Sequence, residues 1–312
     1  MQRYQPPLTF APLKHTTKGH IAVLFTNLFF SVNYSVIKLI SPQPIGPYAL
    51  NVLRVIVSLV FFWSLWLFGD TPAGFQKRHF WRFVLCGLTG IALNQMLFIK
   101  GLTLTSTIHA SLLILITPVM VTVFAIWVLK ERFTIYKAFG LALGIGGAVF
   151  LILQRSTTAG AESLLGDILV LANAIFYAFY FIIVKPLTKE YSPLHVIRWV
   201  FTIGFFFILP FGWQQTLDID WNSFAWYHYA GLFSVAFLGT FLAYYFNAYG
   251  IRVLGAGVTG SYIYTQPFIV VIIATIFLNE SLTWQKILSG LMIIAGVFLV
   301  SYRSGGKAAE KI

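Results

Sequence analysis

One stretch of this sequence occurs twice, and the register between the copies decides what the chain can become. Residues 117–131 read TPVMVTVFAIWVLKE and residues 266–280 read QPFIVVIIATIFLNE. A step of 149 residues carries Pro118 to Pro267 and Glu131 to Glu280. The same step, without a gap, carries Gly90 to Gly239, Gly101 to Gly250, Thr134 to Thr283, Lys137 to Lys286 and Gly147 to Gly296. A register shared by several apolar segments marks an internal duplication rather than a shared composition.

Both copies are made of runs that suit a bilayer. The 312 residues are 58% hydrophobic and 10% charged, whereas soluble domains carry about 25% charged residues, so water cannot be the main solvent. About 20 mostly apolar residues cross a hydrocarbon core of about 30 Å. Ten such runs are read, at roughly 20–40, 47–68, 80–101, 107–129, 135–153, 164–186, 194–213, 226–249, 257–278 and 284–302. Trp81, Trp213, Trp226 and Trp284 near their ends suit interfacial anchoring. The first run is of full-span length and lacks a cleavage pattern of small residues, which predicts a retained span rather than a removable signal peptide. The expected divisions are an N-terminal arm (1–19), a first repeat (20–155), a second repeat (156–303) and a C-terminal tail (304–312).

Charge sets the orientation. With the N-terminus in the cytoplasm, fifteen Lys and Arg fall on the inner side and four on the outer side, leaving Arg54 and Arg198 within spans. Both termini are therefore expected to be cytoplasmic. The net charge of +12 is explained by these basic loops, with no need of nucleic acid as a partner. Five spans per repeat is an odd number, so the second repeat enters the membrane upside down, a design used by secondary transporters with the substrate near the midplane between the halves.

The fold class expected is thus an all-α polytopic membrane protein of ten transmembrane helices, arranged as two inverted five-helix repeats. Five paired features resemble the drug/metabolite transporter superfamily, in particular the EamA-type family with two EamA repeats. They are Arg54 and Arg198 early in each second helix, a glycine-containing third helix (Gly87, Gly90, Gly101; Gly239, Gly250), and Pro118 and Pro267 in each fourth. Glu131 and Glu280 close the fourth helices, and a glycine-rich fifth helix follows (Gly140, Gly144, Gly146, Gly147; Gly290, Gly296). The likeness covers residues 18–303 and implies a transporter, often an exporter, of small organic solutes in the bacterial inner membrane. Lys100, where the family usually has a small apolar residue, and Asn279, where it usually has glycine, depart from the pattern.

Polar side chains inside spans are costly in lipid and so are the candidate site. Asn27, Ser31, Tyr34 and Lys38 share one face of the first helix, and Asn173, Tyr177 and Tyr180 repeat that stripe in the sixth. The two stripes are expected to face each other as cavity lining, with helix–helix hydrogen bonding as the alternative. Asn94, His109, Tyr244, Tyr262 and Gln266 complete the candidate lining. Pro118 and Pro267 each remove a backbone hydrogen bond, which predicts a kink or a carbonyl left free for a ligand. Arg54, Glu131, Arg198 and Glu280 are assigned gating or structural roles, the two glutamates as supports at opposite faces that cap the next helix. Lys38, Arg54 and Lys100 toward the outer side, and Lys185, Arg198 and Arg252 toward the inner side, are expected to snorkel toward headgroups. Arg54 fits this least, because it lies about 10 Å along its helix; facing the interior it would need a carbonyl, an acid or a substrate anion.

Other functions fit less well. A membrane enzyme needs clustered His, Asp or Glu, and the chain has nine acids and six histidines without a nucleophile–base pair or metal-ligand spacing. The absence of a phosphate-binding loop argues against an ATP-driven pump. The single Cys86 excludes an internal disulfide framework and a Cys-based metal cluster. No cofactor is expected; the partners are a small-molecule substrate and the lipid bilayer, with oligomeric state left open. The function expected is a secondary transporter, read as an exporter of a small organic metabolite such as an amino acid, working by alternating access with a central site between the two repeats, with a lipid flippase or other non-solute membrane protein as the alternative.

Overall fold

The computed structural model describes residues 13–68, 74–130, 132–153 and 163–301. Nine of its helices are long and apolar enough to cross a membrane: α1 (Thr16–Ile40), α2 (Pro47–Leu67), α3 (Lys77–Leu104), α4 (Thr107–Val128), α5 (Ile135–Leu153), α6 (Leu164–Glu190), α7 (Pro193–Leu217), α8 (Trp226–Leu254) and α9 (Val258–Phe277). A shorter apolar helix, α10 (Trp284–Val300), completes the second set of five. The spans that sequence reading ends at residues 101, 213 and 249 run on to Leu104, Leu217 and Leu254.

Local chemistry sets the starts. Pro47 and Pro193 occupy the first turn of α2 and α7, where a missing N–H costs nothing. Ser106, Ser163 and Ser192 cap α4, α6 and α7, accepting from the N–H of His109, Gly166 and His195 at 3.1, 3.0 and 3.3 Å.

Packing follows the duplication. With α1–α5 matched to α6–α10, α3 packs on α6 as α8 packs on α1, and α4 packs on α6 as α9 packs on α1. Likewise α3 meets α7 as α2 meets α8, while α2–α7 and α5–α10 pair a helix with its own counterpart. The α5–α10 crossing is close because glycines form it: a Cβ on Gly296 would lie 2.7 Å from the Gly140 carbonyl oxygen. Large apolar side chains such as Leu24, Phe139, Phe206 and Phe268 point outward, where the hydrocarbon receives them.

The fourth helix of each repeat is broken rather than kinked. In α4 a turn at Leu115–Ile116 separates Thr107–Ile114 from Thr117–Leu129, so Pro118 begins a new helix. In α9 a tight turn, Tyr262–Thr265, precedes Gln266–Phe277, and Pro267 again sits at a helix start. The carbonyl expected to be freed beneath Pro118 is that of Ile114, and the Thr117 hydroxyl donates to it at 2.7 Å. Beyond each segment, Lys130 and Asn279 take a left-handed φ of 54°. Asn tolerates this conformation better than most side chains, which explains physically why Asn279 can stand where glycine is usual.

Candidate functional site

The third helix of each repeat carries a stretch of widened turns: Leu88–Leu93 in α3 and Ser234–Leu242 in α8. Such π segments frequently accompany functional sites, and these two overlap under the 149-residue step. Each contains the glycine that lets the other repeat's first helix approach. A Cβ on Gly239 would lie 2.6 Å from the Asn33 amide carbon of α1, and one on Gly90 would run into the Tyr180 ring of α6. Just beyond the π segments stand Gln95 and Tyr244, themselves 149 residues apart, and Gln95 Nε2 reaches Tyr244 Oη at 3.5 Å. Symmetry mates that touch mark the pseudo-twofold axis.

A chamber of about 110 Å³ lies on this axis, lined by Phe30, Asn33, Tyr34, Arg54, Asn94, Gln95, Phe98, Ile114, Asn173, Tyr177, Tyr244, Ile263 and Gln266. A larger chamber of about 700 Å³ shares Phe30, Tyr177, Ile263 and Gln266 with it, a volume in the usual range for small-molecule sites. It runs from the midplane toward the face where α1 begins and α10 ends, here the terminal face. Its walls include Thr117, Pro118, Val121 and Thr122 of α4 and Thr259, Gly260 and Ser261 of α9. Gly260 and Ser261 are exposed at the rim. Thus the terminal-side halves of α4 and α9 are splayed, whereas their halves toward the far face pack directly together.

The far face is bridged by polar contacts, some buried and some half-buried. Glu280 accepts from the Thr107 N–H at 2.8 Å, the Thr107 hydroxyl at 2.7 Å and the Ile108 N–H at 3.0 Å. It therefore caps α4 of the other repeat, not the helix that follows it, because the left-handed Asn279 turns it away from α10. Asp167 accepts from the Thr105 hydroxyl at 2.6 Å and faces His109 Nδ1 at 3.3 Å, with both side chains buried. Lys38 donates to the carbonyls of Leu102, at 3.0 Å, and Thr105. It turns inward rather than snorkelling, since those carbonyls lie at the end of α3 and need donors.

The candidate residues divide accordingly. Tyr34, Asn94, Asn173, Tyr177, Tyr244 and Gln266 line the central chamber, and Asn27 lines the larger one. Asn27 Oδ1 receives Gln266 Nε2 at 2.9 Å, and Asn173 Nδ2 donates to the Asn94 carbonyl at 2.7 Å. Ser31 lines neither chamber: it is fully buried, bonded to the Asn27 carbonyl at 2.7 Å. Tyr180 stacks behind Tyr177 instead, His109 belongs to the far-face closure, and Tyr262 sits on the terminal side with its hydroxyl 2.6 Å from His20 Nδ1. Pro118 touches the larger chamber while Pro267 is packed away. Glu131 lies outside the described residues. Arg198 does not snorkel; it lies over the rings of Trp63 and Trp66 at 4.8 and 5.4 Å. Arg54 does not snorkel either. It is 4% exposed, donates from Nε to Thr240 Oγ1 at 2.9 Å, and lines the central chamber.

Sequence reasoning passed over Phe30, Asn33 and Phe98. Asn33 carried a usable signal, since it lies six residues from Asn27 and beside Tyr34, but the stripe drawn through Ser31 points to a neighbouring face.

An inverted pair of five-helix bundles with a polar chamber on the axis between them defines a polytopic membrane transporter of solutes. The chain belongs to the EamA-like transporter family, whose model matches residues 17–153 and 164–302. It is 25% identical over 295 residues to an uncharacterized transporter of Archaeoglobus fulgidus, covering 91% of this chain and 98% of the relative. It is 23% identical over 247 residues to the uncharacterized transporter YetK of Bacillus subtilis, covering 78% and 75%. With a probable terminal-alkyne amino-acid exporter of Streptantibioticus cattleyicolor it shares 29% identity over 233 residues, covering 72% and 74%. A solved crystal structure shares the fold at a TM-score of 0.60 and 14% identity, over 93% of this chain and 98% of that one.

Proposed function

We propose that this protein is a secondary transporter of the bacterial inner membrane that exports a small amphipathic metabolite, of the size of an amino acid, by alternating access. One observation supports the reading: the two chambers share the walls of Phe30, Tyr177, Ile263 and Gln266 and lie in line from the axis toward the terminal face, while polar contacts between the repeats bridge the far face. Under the orientation favoured by the Lys and Arg distribution, the terminal face is cytoplasmic and the path is inward-open. A solute then enters from the cytoplasm, reaches the axis, and leaves when α4 and α9 close on the terminal side and part on the far side. The inverted duplication supplies the opposite state, because exchanging the conformations of the two repeats exchanges the open and closed faces. The similarity to a probable amino-acid exporter supports the substrate size and the direction.

The test is counterflow in proteoliposomes. Vesicles preloaded with pooled cytosolic metabolites are expected to accumulate a labelled member of the pool against no gradient. Fluorescent phospholipid moving between leaflets, with no solute counterflow, would replace this reading with lipid flipping.

A further inference from the structure

We infer that Arg54 is the docking cation of the central chamber, holding the carboxylate of an α-amino acid whose ammonium donates to Gln95 and whose apolar side chain lies in the larger chamber. The inference rests on the transport reading above and narrows its substrate.

A guanidinium has five N–H donors in a rigid planar fork. Arg54 uses its Nε–H on Thr240 Oγ1, which in turn donates to the Val235 carbonyl at 2.7 Å. Its Nη1 is buried without a partner. Every described acid is engaged elsewhere: Asp167 with Thr105 and His109, Glu280 with the start of α4, Glu190 with Arg78, Asp218 with Gln214, and Asp220 with the Asn222 N–H. The central chamber therefore has a buried cation on its wall and, among the described residues, no counter-charge. A charge in this setting is costly unless it is paired, and an intramembrane Arg facing a cavity is explained when the ligand brings the pair.

The fork fits a carboxylate by two parallel hydrogen bonds. One positive charge in about 110 Å³ balances a single negative group, which disfavours a phosphate dianion. The same wall offers an acceptor. Gln95 is 2% exposed, gives Nε2 to Tyr244, and leaves Oε1 buried without a partner. An ammonium group is donor-only and satisfies that oxygen. A cation and a buried amide oxygen without a partner, on two residues that line one small chamber, match a zwitterion. Beyond the shared wall, Val121, Phe181, Ile294 and Val297 form an apolar compartment for the side chain.

The test uses the full-length protein in liposomes with L-phenylalanine and L-leucine as probes, each beside its decarboxylated amine and its desamino carboxylate. The amino acids are expected to drive counterflow and raise the melting temperature. The desamino acids are expected to bind about 10-fold more weakly and the amines not measurably. Arg54→Met should weaken amino-acid binding about 100-fold, as loss of a charge-assisted pair does, and Arg54→Lys should restore part of it. If Arg54→Met does not fold, the analogue series on the unaltered protein decides alone. Amines that bind as well as the amino acids, an Arg54→Met protein that binds normally, or no binding of either amino acid would each overturn the inference. Transport of cationic or neutral solutes with Arg54 dispensable would overturn this inference and leave the transport reading standing; no counterflow of any pooled metabolite would overturn both.

Discussion

The two faces of the bundle hold the repeats together by different means. On the far face, a half-buried and a fully buried carboxylate bind backbone and hydroxyl donors of the opposite repeat: Glu280 on Thr107 and Ile108, Asp167 on Thr105. On the terminal face an ion pair between repeats, Arg78 with Glu190 at 2.7 Å, is 65% and 39% exposed. Charge-assisted hydrogen bonds strengthen as the dielectric falls, while exposed ion pairs contribute roughly 0–1 kcal/mol. The far face is therefore joined through carboxylates bound to backbone and hydroxyl donors, and the terminal face through an exposed ion pair together with aromatic contacts, His79 on Tyr191 at 2.8 Å and Arg198 over Trp63 and Trp66. Under the transport reading, this difference marks the far-face contacts as the ones that must part for the opposite state to form.

Three substitutions bear on that difference, in order of expected effect. Asp167→Ala breaks a fully buried cluster and leaves His109 and Thr105 facing an empty space; a loss of roughly 3–5 kcal/mol is expected, read as a lowered melting temperature and faster labelling of a cysteine at Ile114 from the far side. A stability matching the unaltered protein would mean that the seal is apolar. Glu280→Gln keeps the shape of the α4 cap and removes its charge, so a loss of about 1.5–3 kcal/mol is expected, with the conformational balance moved toward far-side opening and the ranking of substrates unchanged. A changed ranking with no change in balance would place Glu280 in substrate choice. Arg78→Ala should cost no more than about 1 kcal/mol and leave cysteine accessibility on both faces as it was. An effect as large as that of Asp167→Ala would erase the distinction between the faces.

Much of the fold was legible because register survives where composition does not. The 149-residue step that pairs Pro118 with Pro267 also pairs the π segments and brings Gln95 against Tyr244 at the axis, so an offset read from letters became a symmetry operation in space. The site was less legible. Asn27 and Ser31 lie one turn apart on α1, yet Asn27 faces the larger chamber and Ser31 closes onto its own helix and α9. In lipid both kinds of position need a hydrogen-bonding side chain, so polarity alone cannot separate a wall from a seam. His109 was misplaced for a related reason: its partner Asp167 is 58 residues away, a contact that no local periodicity reports. Arg54 and Arg198 occupy matching places in the two repeats, but one meets a cavity and the other two tryptophans, a divergence set by neighbours from other helices.

Side-specific labelling tests most directly whether the chamber between the repeats opens at the terminal face and that face is cytoplasmic. In a Cys86→Ser background, a cysteine replacing Ser261 at the chamber rim is treated with a membrane-impermeant maleimide, in intact cells and in inside-out vesicles. The expected result is rapid reaction in inside-out vesicles, slowing when transported solute is added, and little reaction in intact cells. Labelling from the outside of intact cells, with protection in inside-out vesicles, would contradict both the orientation and the open face.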